Sequence, residues 1–217
     1  MTNPSSRLNR LFLFVLTFFL LWILWVLFLI HFPHPLNHWV IRAAVRILIW
    51  VGLAVAYIRF VERQNVFSYL RLKVHAGRGI AWGLMVSAVI SGPIIFYRVH
   101  LMGGHFHLPL DMATWMNPIL TAPIAEEIVF RGVIFRKMEE AVGSLRALVA
   151  SALLFALIHF PYWYLSGDKA GKALVIAEGT MFVYGLVFAG LVWMTRSLWA
   201  PMTYHVLNNL VTISLGV

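Results

Sequence analysis

An uninterrupted apolar segment near the N-terminus constrains the fold of this chain more than any other feature of its sequence. Residues 11–30 form a run of 20 residues in which Thr17 is the only polar side chain. A transmembrane helix needs about 20 apolar residues, because the hydrocarbon core of a bilayer is about 30 Å thick. Arg7 and Arg10 precede the run, as in a signal peptide, but the run is too long for one and no small-x-small cleavage site follows it. We therefore predict a retained membrane-spanning helix.

The composition of the whole chain agrees with a multi-pass integral membrane protein. Of its 217 residues, 61% are hydrophobic and 12% are charged, which is about half the usual charged fraction of a soluble domain. The chain has no cysteine, so disulfides and thiolate zinc sites are excluded. We predict an all-α transmembrane bundle of about seven spans, a single domain over residues 1–217. The predicted spans are residues 11–30, 40–57, 80–97, 117–135, 147–164, 174–195 and 198–216.

The basic residues predict the orientation of the bundle. The formal net charge is +9, from 17 Lys and Arg against 8 Asp and Glu. With the N-terminus in the cytoplasm, twelve basic residues fall on that side and three on the other, or five if Arg42 and Arg46 are counted with the outer side. This bias follows the positive-inside rule, and we expect Arg42 and Arg46 to extend to the interface. Because the charges are dispersed over helix ends, we predict membrane lipids and no nucleic acid as partners.

Small residues recur every four positions along the third predicted span. Such a stripe allows two helices to approach closely in a bilayer. We interpret it as structural, with no chemistry attached. Its members are Gly79, Gly83, Ser87 and Ser91.

Two adjacent acidic residues, Glu126 and Glu127, lie within an otherwise apolar segment. An ionisable side chain is costly there and is therefore a functional candidate. Glu127 and Arg131 are four residues apart and share a helix face, whereas Glu126 points about 100° away. We predict that Glu127 pairs with Arg131 and that Glu126, unpaired and desolvated, acts as a general base. The alternative is that both carboxylates share Arg131 as a folding clamp.

Two later spans each carry further polar side chains. His159 follows Phe155 by four residues, and His205 precedes Asn209 by four. A lone histidine in an apolar helix is more often a packing residue, and the second pair could make an ordinary interhelical hydrogen bond. His205 and Asn209 project from one face and could instead hold an oxyanion, with Asn208 as a possible substitute. Together the three clusters supply a base, an imidazole and an anion-stabilising pair, as hydrolysis requires.

These motifs, in this order on late membrane spans, resemble the CPBP intramembrane proteases, which include the type II CAAX prenyl endopeptidases and bacteriocin-processing relatives. The resemblance covers residues 117–217, the predicted protease core. Residues 1–116, with the first three helices, carry no such motif. The matching motifs are Glu126-Glu127-x-x-x-Arg131, Phe155-x-x-x-His159 and His205-x-x-x-Asn209, with the lead-ins Ala122-Pro123 and Ala200-Pro201.

The resemblance implies a role for each motif residue. Glu126 would activate a water molecule that His159 helps to hold, and His205 and Asn209 would stabilise the tetrahedral oxyanion. The supporting residues would be Glu127, Arg131 and Phe155.

The family is described both as metalloproteases and as metal-free glutamate proteases. Zinc ligation by Glu126, His159 and His205 is chemically acceptable, but such a site would need a separate base. The chain also lacks the H-E-x-x-H helix of many zinc proteases. We therefore favour a mechanism without a cofactor and keep zinc as the alternative.

The resemblance and the residues together predict an intramembrane endopeptidase. Its substrate would be a membrane-anchored, lipid-modified or sorting-signal protein. One alternative is a proton-coupled carrier that uses the buried Glu, His and Arg as a relay, although the chain shows no inverted repeat. Another is a non-catalytic immunity or scaffold protein of the same fold. The short loops and the terminus at Val217 favour a bacterial plasma membrane over the ER.

Overall fold

The computed structural model describes residues 4–32 and 38–216, and every regular element in these ranges is a helix. The side chain of Arg7, the segment 33–37 after the first predicted span and the terminus at Val217 lie outside the described part. We number the helices α1 (Pro4–His31), α2 (Trp39–Val61), α3 (Val66–Tyr69), α4 (Ala76–Leu101), α5 (112–142), α6 (Ser144–Leu165), α7 (Gly171–Thr195) and α8 (Trp199–Leu215).

Five of the predicted spans correspond to helices that are long and apolar enough to cross a membrane. These are α1 from Leu8 onwards, α2, α4, α6 and α7. Helix α5 covers the fourth predicted span but carries three ionisable side chains in its middle, and α8 has only 17 residues. The prediction of an all-helical membrane protein is confirmed. The count of seven crossings and the cytoplasmic N-terminus stay predictions.

Helix α5 is irregular around the two adjacent glutamates. Wide π-helical turns over Trp115–Thr121 and Ile128–Phe135 flank a short α-helical stretch, Ala122–Glu127. Pro118 and Pro123 lie in or directly after the first π-helical stretch and cannot donate the regular backbone hydrogen bonds. Such π-bulges are frequent at functional sites. The glutamates therefore lie on a short regular stretch between two irregular parts of α5.

Aromatic rings join the two N-terminal helices to α5. Trp50 lies edge-on to Phe18 and Trp22, with ring centroids 4.8 and 5.1 Å apart. Phe130 of α5 contacts both Phe18 and Trp50, with centroids 6.0 Å apart in each case. These side chains form the centre of the hydrophobic core. The core thereby fixes α1 and α2 against the helix that carries the glutamates.

Ion pairs hold together the end of the bundle where α2, α5 and α7 end. Lys137 Nζ lies 2.9 Å from Glu62 Oε2 and 2.6 Å from Glu140 Oε2. Arg196 pairs with Glu139 at 2.9 Å. Several of the basic residues that predict orientation therefore also link helix ends.

The small-residue stripe of α4 packs closely against another helix, as the sequence predicts, and that helix is α8. A methyl group at Gly83 would lie 2.6 Å from Cβ of Thr203 and 2.7 Å from the carbonyl oxygen of Ala200. Both atoms belong to the α8 framework and cannot rotate away, so the absence of a side chain permits the close approach. The buried members of the stripe are Gly79, Gly83, Ser87 and Ser91.

We predict that Gly83→Ala lowers the free energy of unfolding by about 1–3 kcal/mol, because α4 and α8 must separate to accommodate the methyl group. Thermal unfolding in detergent micelles measures the change. Gly190→Ala is the matched control, since a methyl group there meets no atom within 4 Å, and it should change stability by less than about 1 kcal/mol. Equal effects of the two substitutions would show that the contact does not limit stability.

Candidate active site

Helices α5, α6 and α8 bring the three polar motifs to one region around two phenylalanine rings. Phe155 lies between the two histidines, with its ring centroid 5.1 Å from that of His159 and 5.9 Å from that of His205. Phe188 of α7 stacks on His205 at 4.3 Å. Residues far apart in the sequence thus share one aromatic environment.

Glu127 and Arg131 form a fully buried ion pair. Arg131 NH1 donates to Glu127 Oε1 at 3.2 Å, and NH2 donates to the carbonyl oxygen of Gly185 at 3.0 Å. The guanidinium carbon also lies 4.4 Å from the ring centroid of Phe155 and 5.0 Å from that of Phe188. A carboxylate, a carbonyl and two ring faces therefore surround the buried positive charge. Glu126 makes no such contact with Arg131.

His205 connects the two glutamates. Its Nδ1 lies 2.9 Å from Glu127 Oε1, and its Nε2 lies 3.8 Å from Glu126 Oε2. Because the Glu127 carboxylate accepts hydrogen bonds, the Nδ1 atom donates in this pair. The Nε2 atom is consequently directed toward the side of the site where Glu126 lies.

Glu126 differs from Glu127 because it faces a cavity. The cavity has a volume of about 340 Å³ and lies between α1, α2, α5 and α6. Glu126 and His159 both line it, whereas His205 does not. Most of the wall is aromatic or aliphatic, and its aromatic members are Trp22, Trp25, Trp50, Tyr162 and Trp163.

His159 occupies a break in α6, where helical structure stops at Leu157 and resumes at Phe160. Its Nδ1 lies 2.8 Å from the carbonyl oxygen of Phe155. A carbonyl only accepts, so Nδ1 carries the proton and, in the neutral ring, Nε2 is an acceptor. Trp22 of α1 donates its indole N–H to the carbonyl oxygen of Ile158 at 3.0 Å. One hydrogen bond within α6 and one from α1 therefore hold the break in place.

Asn209 and His205, expected to act as a pair, have separate partners. Asn209 Nδ2 donates to the carbonyl oxygen of Pro118 at 2.8 Å, and Pro118 belongs to the cavity wall. Asn209 itself does not line the cavity, and Asn208 beside it is buried. The amide therefore ties α8 to the irregular part of α5.

The cavity wall also contains Arg42 and Arg46 of α2, which the sequence analysis expects at the membrane interface. They line the same space as Glu126, which the sequence did not predict, and their expected reach to the interface stays a prediction. A signal for this placement was present, because the two are four residues apart and share a helix face within an apolar span.

The described residues contain no group of three or more His, Asp or Glu side chains arranged to hold a metal ion. Glu126, His159 and His205, the proposed zinc ligands, therefore do not form such a group in this structure.

Comparison with known proteins gives one match. A family model described as "Type II CAAX prenyl endopeptidase Rce1-like" matches residues 82–211, more than half of the chain. Comparisons with curated proteins and with solved structures give no significant match. The matched residues include all three motifs and begin within α4. The parts of the cavity wall that come from α1 and α2 lie outside the match.

Proposed function

The chain belongs to the Rce1-like family of type II CAAX prenyl endopeptidases, and on this premise we propose that it is an intramembrane endopeptidase that cleaves a membrane-anchored or lipid-modified protein. The family indicates a protease that acts on membrane-associated proteins. The observation that carries the proposal is that Glu126 and His159 face one cavity within a helical membrane protein.

In the proposed mechanism, Glu126 is the general base. Its carboxylate accepts one hydrogen of a water molecule, and Nε2 of His159 accepts the other. The hydrogen bond from His159 Nδ1 to the Phe155 carbonyl supports this role, because it holds the ring with Nε2 as the acceptor. A lone pair of the water oxygen then attacks the scissile carbonyl carbon as the proton passes to Glu126.

His205 and Asn209 are the proposed donors to the tetrahedral oxyanion. In this proposal, His205 Nδ1 donates to Glu127 while an Nε2–H of the same ring donates toward the Glu126 side of the site, where the oxyanion forms. Asn209 donates one amide hydrogen to Pro118 and has a second for the oxyanion. When the C–N bond breaks, the proton on Glu126 transfers to the leaving nitrogen, which restores the carboxylate.

Glu127, Arg131 and Phe155 are proposed to position these groups without touching the substrate. Glu127 accepts from both Arg131 and His205, and Phe155 packs against both histidines. Two carboxylates next to each other in sequence would thus have different tasks, because one faces the cavity and the other is neutralised by Arg131.

Cleavage in a defined bilayer, with and without a chelator, tests this proposal. We expect the purified protein in liposomes to cut a membrane-anchored, lipidated peptide, with new N-termini detected by mass spectrometry. The rate should stay within about twofold after treatment with 1,10-phenanthroline, because Glu126 rather than a metal-bound hydroxide supplies the base. Liposomes that contain Glu126→Gln control for contaminating proteases.

Two outcomes would contradict the proposal. Stoichiometric zinc that is lost together with activity would establish the metalloprotease alternative. Proton flux through the liposomes without any cleavage would favour the proton-coupled carrier.

A further inference from the structure

Arg42 and Arg46 are charged groups in the cavity wall that the proposed mechanism does not use. They lie one turn apart on α2 and share the cavity with Glu126. Charged side chains in membrane spans are rare and usually mark a functional path or a paired site. Their helix lies outside residues 82–211, so the family match does not account for them.

The described residues do not neutralise this pair of positive charges. No described carboxylate lies within 4.0 Å of either guanidinium. The guanidinium carbon of Arg46 lies 5.7 Å from the ring centroid of Trp22. The Nε atom of Arg42 is buried without a hydrogen-bond partner. Among the described residues that line the cavity, Glu126 is the sole acid against two arginines. Positive charge that is partly buried in an apolar span is costly unless an anion binds to it.

We propose that Arg42 and Arg46 bind a carboxylate of the substrate peptide while its scissile bond lies beside Glu126. This inference rests on the proposed protease function. Arginine presents a planar set of donors that matches a carboxylate in a two-point contact. Because this carboxylate belongs to the substrate, the positive charges of Arg42 and Arg46 are compensated only when a peptide is bound.

The size and lining of the cavity fit a short peptide segment. A volume of about 340 Å³ lies at the lower end for small-ligand sites, and aromatic walls suit apolar side chains. The carboxylate can come from the C-terminus of the peptide or from an Asp or Glu side chain. Both sources have the same chemistry and differ only in where the peptide carries the charge.

Binding of short peptides without cleavage tests this site. Trp22, Trp25 and Trp50 line the cavity, so tryptophan fluorescence of the purified full-length protein reports occupancy. The probes are N-acetyl-trileucine with a free C-terminal acid, the same peptide as a C-terminal amide, and an amide in which the middle leucine is aspartate. We expect at least one acidic probe to bind the wild-type protein about tenfold or more tightly than the neutral amide.

The variants Arg42→Gln and Arg46→Gln should each reduce that preference to less than about threefold, because each removes one charged donor set. Arg98→Gln is the matched control, since Arg98 is an exposed basic residue at the end of α4 and does not line the cavity. It should keep the full preference. The free-acid and aspartate probes distinguish the two sources of the carboxylate.

Three results would overturn the site. One is equal affinity of the wild-type protein for the acidic and neutral probes, and another is no binding of any probe at millimolar concentration. The third is a preference for acid that survives in both arginine variants. Because binding is measured without turnover, a protein that selects acidic probes but cleaves nothing would contradict the proposed function and leave this site standing.

Discussion

Replacing Glu126 with glutamine should lower kcat by about 10²–10⁴-fold while KM changes little, because general-base catalysis contributes a rate factor of that size. Glutamine keeps the shape and the hydrogen-bonding capacity of the side chain but does not accept the proton of the attacking water. Glu126 faces the cavity and makes no hydrogen bond to the buried arginine. Initial rates of cleavage in liposomes over a range of peptide concentrations would separate kcat from KM.

The matched control for this loss is Glu178→Gln, the same substitution at another carboxylate within a spanning helix. Glu178 lies in α7 and does not line the cavity, so its replacement should leave kcat within about threefold. Glu126→Gln should also remain folded in thermal unfolding, since glutamine keeps the size and shape of the side chain. A Glu126→Gln protein that retains wild-type activity would exclude this residue as the base.

The membrane helices could be predicted from sequence because bilayer thickness fixes their length and apolar character. This applies to α1, α2, α4, α6 and α7, which each contain a suitable apolar window. The π-helical turns of α5 could not be placed, because Pro118 lies only in the first of them and the second, Ile128–Phe135, contains no proline that would mark it in the sequence.

Within the site, the contacts that follow from helical spacing were predictable, and the long-range ones were not. The proximity of Glu127 and Arg131 is a property of one helix, since four residues make about one turn. The contact of His205 with Glu127 joins residues 78 apart in sequence and depends on how α8 packs against α5. The same reason explains why the hydrogen bond from Asn209 to Pro118, 91 residues away, was not predicted.

The arginines of α2 show a further limit of the sequence reading. Arg42 and Arg46 lie near the start of a predicted span, where long basic side chains usually extend to the interface. That they also line the cavity with Glu126 could not be predicted from this position, because it depends on the packing of Trp50 of α2 against α1 and α5. A side chain's direction was thus decided by the packing of other residues on the same helix.

Arg131→Met should lower the free energy of unfolding by about 3–5 kcal/mol, the second large effect that the structure predicts. The substitution removes one partner of an ion pair that is fully buried on both sides and leaves the Glu127 carboxylate with His205 alone. It also removes the side-chain donor to the Gly185 carbonyl. Thermal unfolding in detergent micelles and the folded yield after solubilisation would measure the loss.

Arg131→Lys should restore little of this stability. A lysine ammonium is a point charge on a flexible stem, whereas the guanidinium reaches Glu127 and Gly185 at once and lies against Phe155 and Phe188. The lysine variant therefore retains the charge but not the geometry. Recovery of wild-type stability by lysine would show that charge alone accounts for the role of Arg131.

The exposed pair of Arg196 and Glu139 provides the matched control, and a double variant isolates the buried interaction. Arg196→Met should cost less than about 1 kcal/mol, because Arg196 is half-exposed and surface ion pairs contribute little. Combining Glu127→Gln with Arg131→Met should cost less than the sum of the single substitutions, since removing both charges leaves neither buried alone. If the single and double variants are simply additive, or if Arg131→Met is as mild as Arg196→Met, the pair does not stabilise the site. In that case, the different tasks of Glu126 and Glu127 would need another physical cause than the neutralisation of Glu127 by Arg131.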